Sequence, residues 1–362
     1  MNPESGTGSE SRTIQRPEIG WIAEVLGTSI SAMEVRAMDS GRGFQSTTWQ
    51  LLISCDPPGS APERLVLKSE TTNPDAHDFT HLNQSFQREV GVYNHLVPRL
   101  QNHQPLIYGC SASQPCWLLM EDLNHLRPGD QVLGLSHAET LATVQRLAVL
   151  QAEFWMDPLL EQQAWLPAHS FWYQHPLPEL VEPFFEAYAV RLGDRAIRVF
   201  RAVLEQGDAI NAALAERPWT LVHGDLRADN LMFGGPEATP SATIIDWSWA
   251  CRSLGCMDLA FLIGGSEPVM QRHGRLDELL STWHGALLER GVRDYPMAEA
   301  RRDLQLAALR CLTTAIASFK FMLDPTVSVR TALFVDQAIQ RHSALVLEQE
   351  AWQALPDPNA LD

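Results

Sequence analysis

The stretch Leu221-Val222-His223-Gly224-Asp225-Leu226-Arg227-Ala228-Asp229-Asn230-Leu231-Met232-Phe233 decides how this chain is read. Apolar residues lead into a polar loop and apolar residues lead out, which predicts strand, loop, strand. Within the loop Asn230 follows Asp225 by five positions, and a second carboxylate, Asp246, ends the apolar run Ile244-Ile245. His-Gly-Asp alone can be a turn in which the Asp caps the backbone. Asp-x-x-x-x-Asn between two strands, with an Asp after the next β-branched run, asks for more than a turn. One carboxylate can take a proton from a hydroxyl, while an amide oxygen and the other carboxylate are hard-oxygen ligands suited to Mg²⁺.

Together, H-G-D-L-R-A-D-N and I-I-D-W resemble the catalytic loop and metal motif of the aminoglycoside phosphotransferase and choline kinase superfamily, the small-molecule relatives of protein kinases. Its ecdysteroid-kinase-like and related bacterial branches look nearest, and the resemblance spans roughly residues 30 to 350. It implies an α+β, bilobal protein-kinase-like fold. A disordered tail over 1–16 would precede an antiparallel-sheet, nucleotide-binding N-lobe over 17–123 and a mainly helical C-lobe over 124–362 with the catalytic loop and acceptor site.

The same resemblance implies ATP and Mg²⁺ as cofactors and a small molecule's hydroxyl as acceptor, with Asp225 as catalytic base and Asn230 and Asp246 as metal ligands. Arg227 falls where protein kinases place a Lys. It either stabilises charge on the transferring phosphoryl group or braces the loop against a carboxylate such as Asp229. Eleven residues separate Asp246 from Asp258 in Met257-Asp258-Leu259-Ala260, and the resemblance makes Asp258 the buried helix-start residue that steadies the catalytic loop.

Composition narrows the partners. With 362 residues, 45% of them apolar, the chain has ample core for one large domain or two smaller ones. A formal net charge of −17 argues against a nucleic-acid surface, which needs a basic patch, and permits a cationic substrate. Six cysteines without C-x-x-C spacing are expected to be reduced, mostly buried thiols. The Ser/Gly/Glu-rich start offers no signal peptide, and no apolar run approaches the length of a spanning helix. The expectation is a cytoplasmic protein without a membrane partner.

Ahead of the loop, Pro17 to Leu26 reads as a short helix stopped by Gly27. Strands are expected over Ile30–Met38, Ser46–Ser54 and Glu63–Ser69. Gly41 and Gly43, in the first hairpin, either supply the positive φ of a turn or let backbone N–H groups cover the ATP phosphates, with Ser46 adding a hydroxyl. Lys68 ends the apolar run Leu65-Val66-Leu67, where a Lys is usually a solvated edge charge. The resemblance instead makes it the contact to the α- and β-phosphates, held by Glu89 on a helix over Leu82–Leu96. Two more strands, Pro105–Tyr108 and Pro115–Leu123, end in Leu118-Leu119-Met120-Glu121-Asp122-Leu123. That run resembles the superfamily's hinge, where backbone groups near Glu121 and Leu123 meet adenine.

Beyond the hinge, Ser136-His137-Ala138-Glu139 is a capping box before a helix over Ala138–Met156. Trp155 to Tyr188 is rich in aromatics and broken by prolines, and is either core or one wall of an acceptor site. A wall of that kind favours a lipophilic or ring-containing alcohol. Helices are expected over Arg191–Ala215 and through Glu267–Gln353, with a hairpin return strand at Ala242–Ile245.

An ATP- and Mg²⁺-dependent small-molecule kinase is thus the leading reading. A protein kinase fails because the eleven residues after Asp246 are too few for an activation segment, and no Ala-Pro-Glu follows. The alternative from another class is a nucleotide-binding pseudokinase or regulatory interaction module, disfavoured because no required group is missing.

Overall fold

The structure, a computed structural model, describes residues 14, 16–38, 46–71, 83–100, 105–113, 115–169 and 178–357. Gly41 and Gly43 lie outside the described residues, as do Phe171, Trp172 and Tyr173 of the aromatic stretch. The chain divides into two compact units, 1–125 and 126–362.

In the first unit, helix α1 (Ile19–Leu26) ends at Gly27, whose φ of 64° is the left-handed cap that a residue without Cβ adopts readily. Five strands follow in sequence: β1 (Ser29–Ala37), β2 (Ser46–Asp56), β3 (Arg64–Glu70), β4 (Ile107–Ser111) and β5 (Trp117–Glu121). They form one antiparallel sheet in the order β1-β2-β3-β5-β4. Side chains alternate along a strand, so Trp49, Leu51 and Ile53 of β2 share one face. They pack with Leu65, Leu67, Leu119 and Ile22 of α1 into the unit's core. Burying each of those leucines contributes about 2 kcal/mol. Between β3 and β4, α2 (Ser85–Gly91) runs on into a π-helical turn, Val92–Leu96, burying Phe86, Val90 and Tyr93. Strand β4 starts two residues later than Pro105, because a proline has no N–H to give the ladder.

The second unit opens with the short strand β6 (Arg127–Pro128) and helix α3 (His137–Glu153). The capping box forms: Ser136 Oγ accepts the Glu139 N–H, and Glu139 Oε2 accepts the Ser136 N–H at 2.8 Å. Helices α4 (Pro178–Glu205, interrupted at Gly193) and α5 (Gly207–Ala215) follow. Next come four short strands, β7 (Thr220–Val222), β8 (Leu231–Gly234), β9 (Ser241–Ile244) and β10 (Cys251–Ser253). Strand β7 pairs with β10, and β8 lies between β6 and β9, so two small antiparallel sheets flank residues 223–230. Helices α6 (Cys256–Ser266), α7 (Leu276–Glu289), α8 (Met297–Ser318) and α9 (Val329–Glu348) complete the unit, with α8 packed on α6 and α9.

Two expectations change. The aromatic stretch is not an irregular wall over its second half: Phe184, Phe185 and Tyr188 lie in α4 and are buried. Phe184 stacks on Tyr188 at 5.2 Å and meets Phe200 and Phe319 at 5.0 and 5.8 Å, so these rings are core. Met297–Leu323, moreover, is long and apolar enough to cross a bilayer, and 67% of its most apolar window is buried inside the protein. A helix surrounded by other helices needs apolar residues all round, which explains the composition. All six cysteines are free thiols.

Candidate active site

Residues 223–230 connect β7 to β8, and their shape follows from a few strict contacts. Gly224 has φ of 81°, and a Cβ there would lie 2.3 Å from the Trp249 carbonyl oxygen, so only glycine fits. The preceding turn is held by Asp258 in the first turn of α6, whose Oδ2 and Oδ1 accept the N–H groups of His223 and Gly224 at 2.7 and 3.0 Å. His223 is fully buried: its Nδ1 accepts the Asp225 N–H at 3.2 Å, so Nε2 carries the ring proton and donates to the Ile245 carbonyl at 2.9 Å. That one side chain ties the loop to the segment carrying Asp246.

Asp225 Oδ2 accepts two hydrogen bonds, from Arg227 Nε at 3.1 Å and Asn230 Nδ2 at 3.0 Å. Asn230 Nδ2 also donates to the Asp225 carbonyl at 2.8 Å. Its amide nitrogen faces oxygens on both counts, which leaves the amide Oδ1 as the atom that would face a cation. Arg227 forks between two carboxylates, reaching Asp229 Oδ2 through Nη1 at 2.9 Å. Burial opposes the Arg227 charge, but Asp225, Asp229 and Asp246 together outweigh it and hold the guanidinium above its ordinary range. Asp246 therefore shares this field. Its φ of 66° is a left-handed conformation that Asp tolerates better than most side chains.

Sequence reading misses four supports. Gln131 Oε1 accepts the Ala228 N–H at 2.7 Å, and Ser266 Oγ accepts it at 3.0 Å. Arg330 of α9 bonds Asp229 at 3.0 Å, and Phe334 lies 5.4 Å from the Arg227 guanidinium carbon. No local spacing signals them, because they come from 38 to 107 residues away from the residues they touch (266 to 228 at the near end, 227 to 334 at the far end).

The residues present fit a divalent cation. Asp225, Asp229 and Asp246 set three carboxylates around the Arg227 guanidinium, and Arg330 pairs with Asp229 from the far side. Among the described residues no three His, Cys, Asp or Glu side chains form an all-protein cage. An ion held by Asp246 and Asn230 would complete its shell with water and phosphate oxygens, as Mg²⁺ characteristically does.

In the first unit, Lys68 on β3 and Glu89 on α2 form a bidentate ion pair, with Nζ at 2.9 and 2.7 Å from the two carboxylate oxygens. Their side chains are 13% and 2% exposed, so this is a largely desolvated pair rather than an edge charge. Ser46 opens β2 opposite Glu70. Glu121 ends β5, where its N–H donates to the Leu106 carbonyl at 2.8 Å and its Oε2 accepts the Leu106 N–H at 3.1 Å. Leu123 is buried beside Asp122, whose carboxylate takes Gln50 Nε2 and the Asn124 N–H. If Lys68 and Glu89 work as one unit, Lys68→Ala and Glu89→Ala lower kcat/KM for ATP with a coupling of about 1–3 kcal/mol between them. A double-mutant cycle measures this, and strictly additive losses would separate the two roles.

The family model described as the phosphotransferase enzyme family matches residues 56–295, and the chain belongs to that family. No curated protein matches it. Among solved structures the chain is similar to a Ralstonia eutropha protein provisionally assigned as an aminoglycoside phosphotransferase, with 15% identity and a TM-score of 0.54 over 91% of this chain and 96% of that one. It is also similar to an ethanolamine kinase of Plasmodium vivax, with 11% identity and a TM-score of 0.53 over 89% and 84% of the two chains. A third is an APH(2″) enzyme in complex with GDP and kanamycin, with 13% identity and a TM-score of 0.50 over 89% and 98%. At these identities the likeness is one of fold, the bilobal α+β architecture of protein-kinase-like enzymes. The protein is a small-molecule phosphotransferase.

Proposed function

We propose that the enzyme is an ATP- and Mg²⁺-dependent kinase that moves the γ-phosphoryl group to a hydroxyl of a small molecule. The observation that carries this reading is the state of Asp225. Both donors that fix its carboxylate land on Oδ2, and among the described residues Oδ1 takes no hydrogen bond. A carboxylate held by one oxygen and open at the other suits a general base. The acceptor oxygen forms the new bond to the γ-phosphorus as the bond to the β,γ-bridging oxygen breaks. ADP leaves, and the hydroxyl proton passes to Asp225 Oδ1. Asn230 Oδ1 and Asp246 would hold Mg²⁺, which when bound offsets the charge of the phosphate oxygens. Lys68, kept in place by Glu89, is proposed to contact the α- and β-phosphates. Ser46 with Gly41 and Gly43, and the backbone near Glu121 and Leu123, are proposed as the remaining nucleotide contacts.

The solved relatives are named for ethanolamine as substrate and for GDP and kanamycin as bound molecules. They support nucleotide-dependent transfer to an alcohol, and this chain's acceptor is proposed only as an alcohol. Free thiols and an ATP-consuming reaction suit the cytoplasm.

Transfer of label from γ-³²P ATP to a panel of amino alcohols, sugars and sterol-like alcohols tests the proposal. A phosphorylated product that disappears with EDTA is the expected result. ATP that neither binds with Mg²⁺ nor yields a product rejects it. On the same reading, Asp246→Ala weakens Mg²⁺-dependent ATP binding by roughly tenfold or more, because a direct ligand is lost. Calorimetric titration of nucleotide at several Mg²⁺ concentrations measures it, and an unchanged metal dependence would assign the ligand elsewhere.

A further inference from the structure

The first turn of a helix is an unfavourable place for a cation, because the unsatisfied N–H groups there already carry positive partial charge. Arg330 sits in that turn of α9, directly after Val329 and two residues beyond the Ser328 N-cap. Two aspartates remote in sequence converge on it: Asp130 Oδ2 accepts from Nη1 and Asp229 Oδ1 from Nη2, both at 3.0 Å. Asp229 Oδ2 takes Arg227 Nη1 at 2.9 Å, and Arg227 Nε reaches Asp225 Oδ2 at 3.1 Å. Charges therefore alternate from the start of α9 to Asp225, with Phe334, one turn along α9, beneath the Arg227 guanidinium.

The geometry points to Arg330 as a positioning residue for phosphoryl transfer, acting on Asp225 through Asp229 and Arg227. The inference rests on the reading of Asp225 as the base. Asp229 is satisfied by three donors: Arg330, Arg227 and the Gln131 N–H at 3.1 Å. Without Arg330 it becomes a nearly buried carboxylate with one cation left, and that cation is Arg227. The guanidinium is drawn towards Asp229 and away from Asp225 Oδ2, since a desolvated charge pulls hardest on its nearest partner. Asp225 then loses one of the two donors that orient it. The rate of transfer falls, while nucleotide affinity, which these residues do not set, stays. Arg330 as a mere anchor for α9 has a different signature, a lower melting temperature with turnover intact.

The test uses the full chain and Mg²⁺-dependent ATP hydrolysis, with water in the acceptor's place, and follows kcat, KM for ATP and Tm. Arg330→Gln is expected to lower kcat roughly tenfold with KM for ATP unchanged. Arg330→Lys recovers part of the loss, because it restores the charge without the fork. Asp130→Asn keeps the oxygen that caps the Val132 and Leu133 N–H groups at 2.8 and 3.0 Å and removes only the outer partner of Arg330. It is expected to lower Tm and leave kcat as it was. In an Arg227→Ala background, Arg330→Gln is expected to have no further effect on kcat. The inference is overturned if Arg330→Gln behaves like Asp130→Asn, or if the losses from the Arg227 and Arg330 variants simply add. Asp225→Asn, run in parallel, separates the two levels. Wild-type turnover in that variant rejects the base and this inference together, whereas an inactive Asp225→Asn beside a fully active Arg330→Gln rejects this inference alone.

Discussion

Asp225→Asn lowers turnover by about 10²–10⁴-fold, the range for loss of a positioned general base, while ATP still binds. The substitution preserves shape. The amide oxygen can take the place of Oδ2 and accept from Arg227 Nε and Asn230 Nδ2, now at 3.1 and 3.0 Å. What disappears is a carboxylate oxygen able to receive the hydroxyl proton, together with one of the negative charges that face Arg227. Since that proton moves only during transfer, the loss belongs to kcat rather than to nucleotide binding. Initial-rate kinetics with whichever alcohol is phosphorylated, set beside the ATP dissociation constant, decide it. Near-normal kcat in a folded variant would remove Asp225 from the role.

What the sequence reveals about this molecule divides by the range of the contacts involved. The loop at 223–230 is legible because its parts are close together. The apolar runs of β7 and β8, a glycine at φ of 81° and the five-residue step from Asp225 to Asn230 are all local. The capping box at Ser136 and the Gly27 stop are legible for the same reason. Lys68 and Glu89 are 21 residues apart, and only the resemblance pairs them in advance. Arg330 and Phe334 are invisible at this level, because nothing near residue 330 announces that it will meet Asp130 and Asp229. The aromatics of α4 mislead for a related reason: density of rings tells that a segment avoids water, not whether protein or ligand covers it. Phe184 and Tyr188 are covered by Phe200 and Phe319.

Asp258→Ala is expected to produce the largest loss of stability. Two backbone N–H groups, the buried one of His223 and the partly buried one of Gly224, would lose their acceptor at once, and Gln151 Nε2 would lose a longer contact at 3.5 Å. An orphaned buried donor costs about 1–3 kcal/mol, so the pair is worth about 2–6 kcal/mol and a fall in Tm of about 5–15 °C. The same carboxyl gives the stability a pH signature. Burial pushes its pKa from 3.8 up to about 6, with Asp225 adding to the rise and the two donated N–H groups opposing it. A folded value above the unfolded one means that the native state holds this proton more tightly. The stabilisation is full below about pH 4 and is lost as pH rises through about 6, a swing of about 3 kcal/mol. Asp258→Asn cannot titrate, and every other group is common to both proteins. Subtracting its Tm-versus-pH curve from that of the wild type should therefore isolate a fall between about pH 4 and pH 7. A flat difference curve would mean that the carboxylate is already charged at the acid end, and that the two N–H groups at the root of the loop at 223–230 outweigh the burial around them.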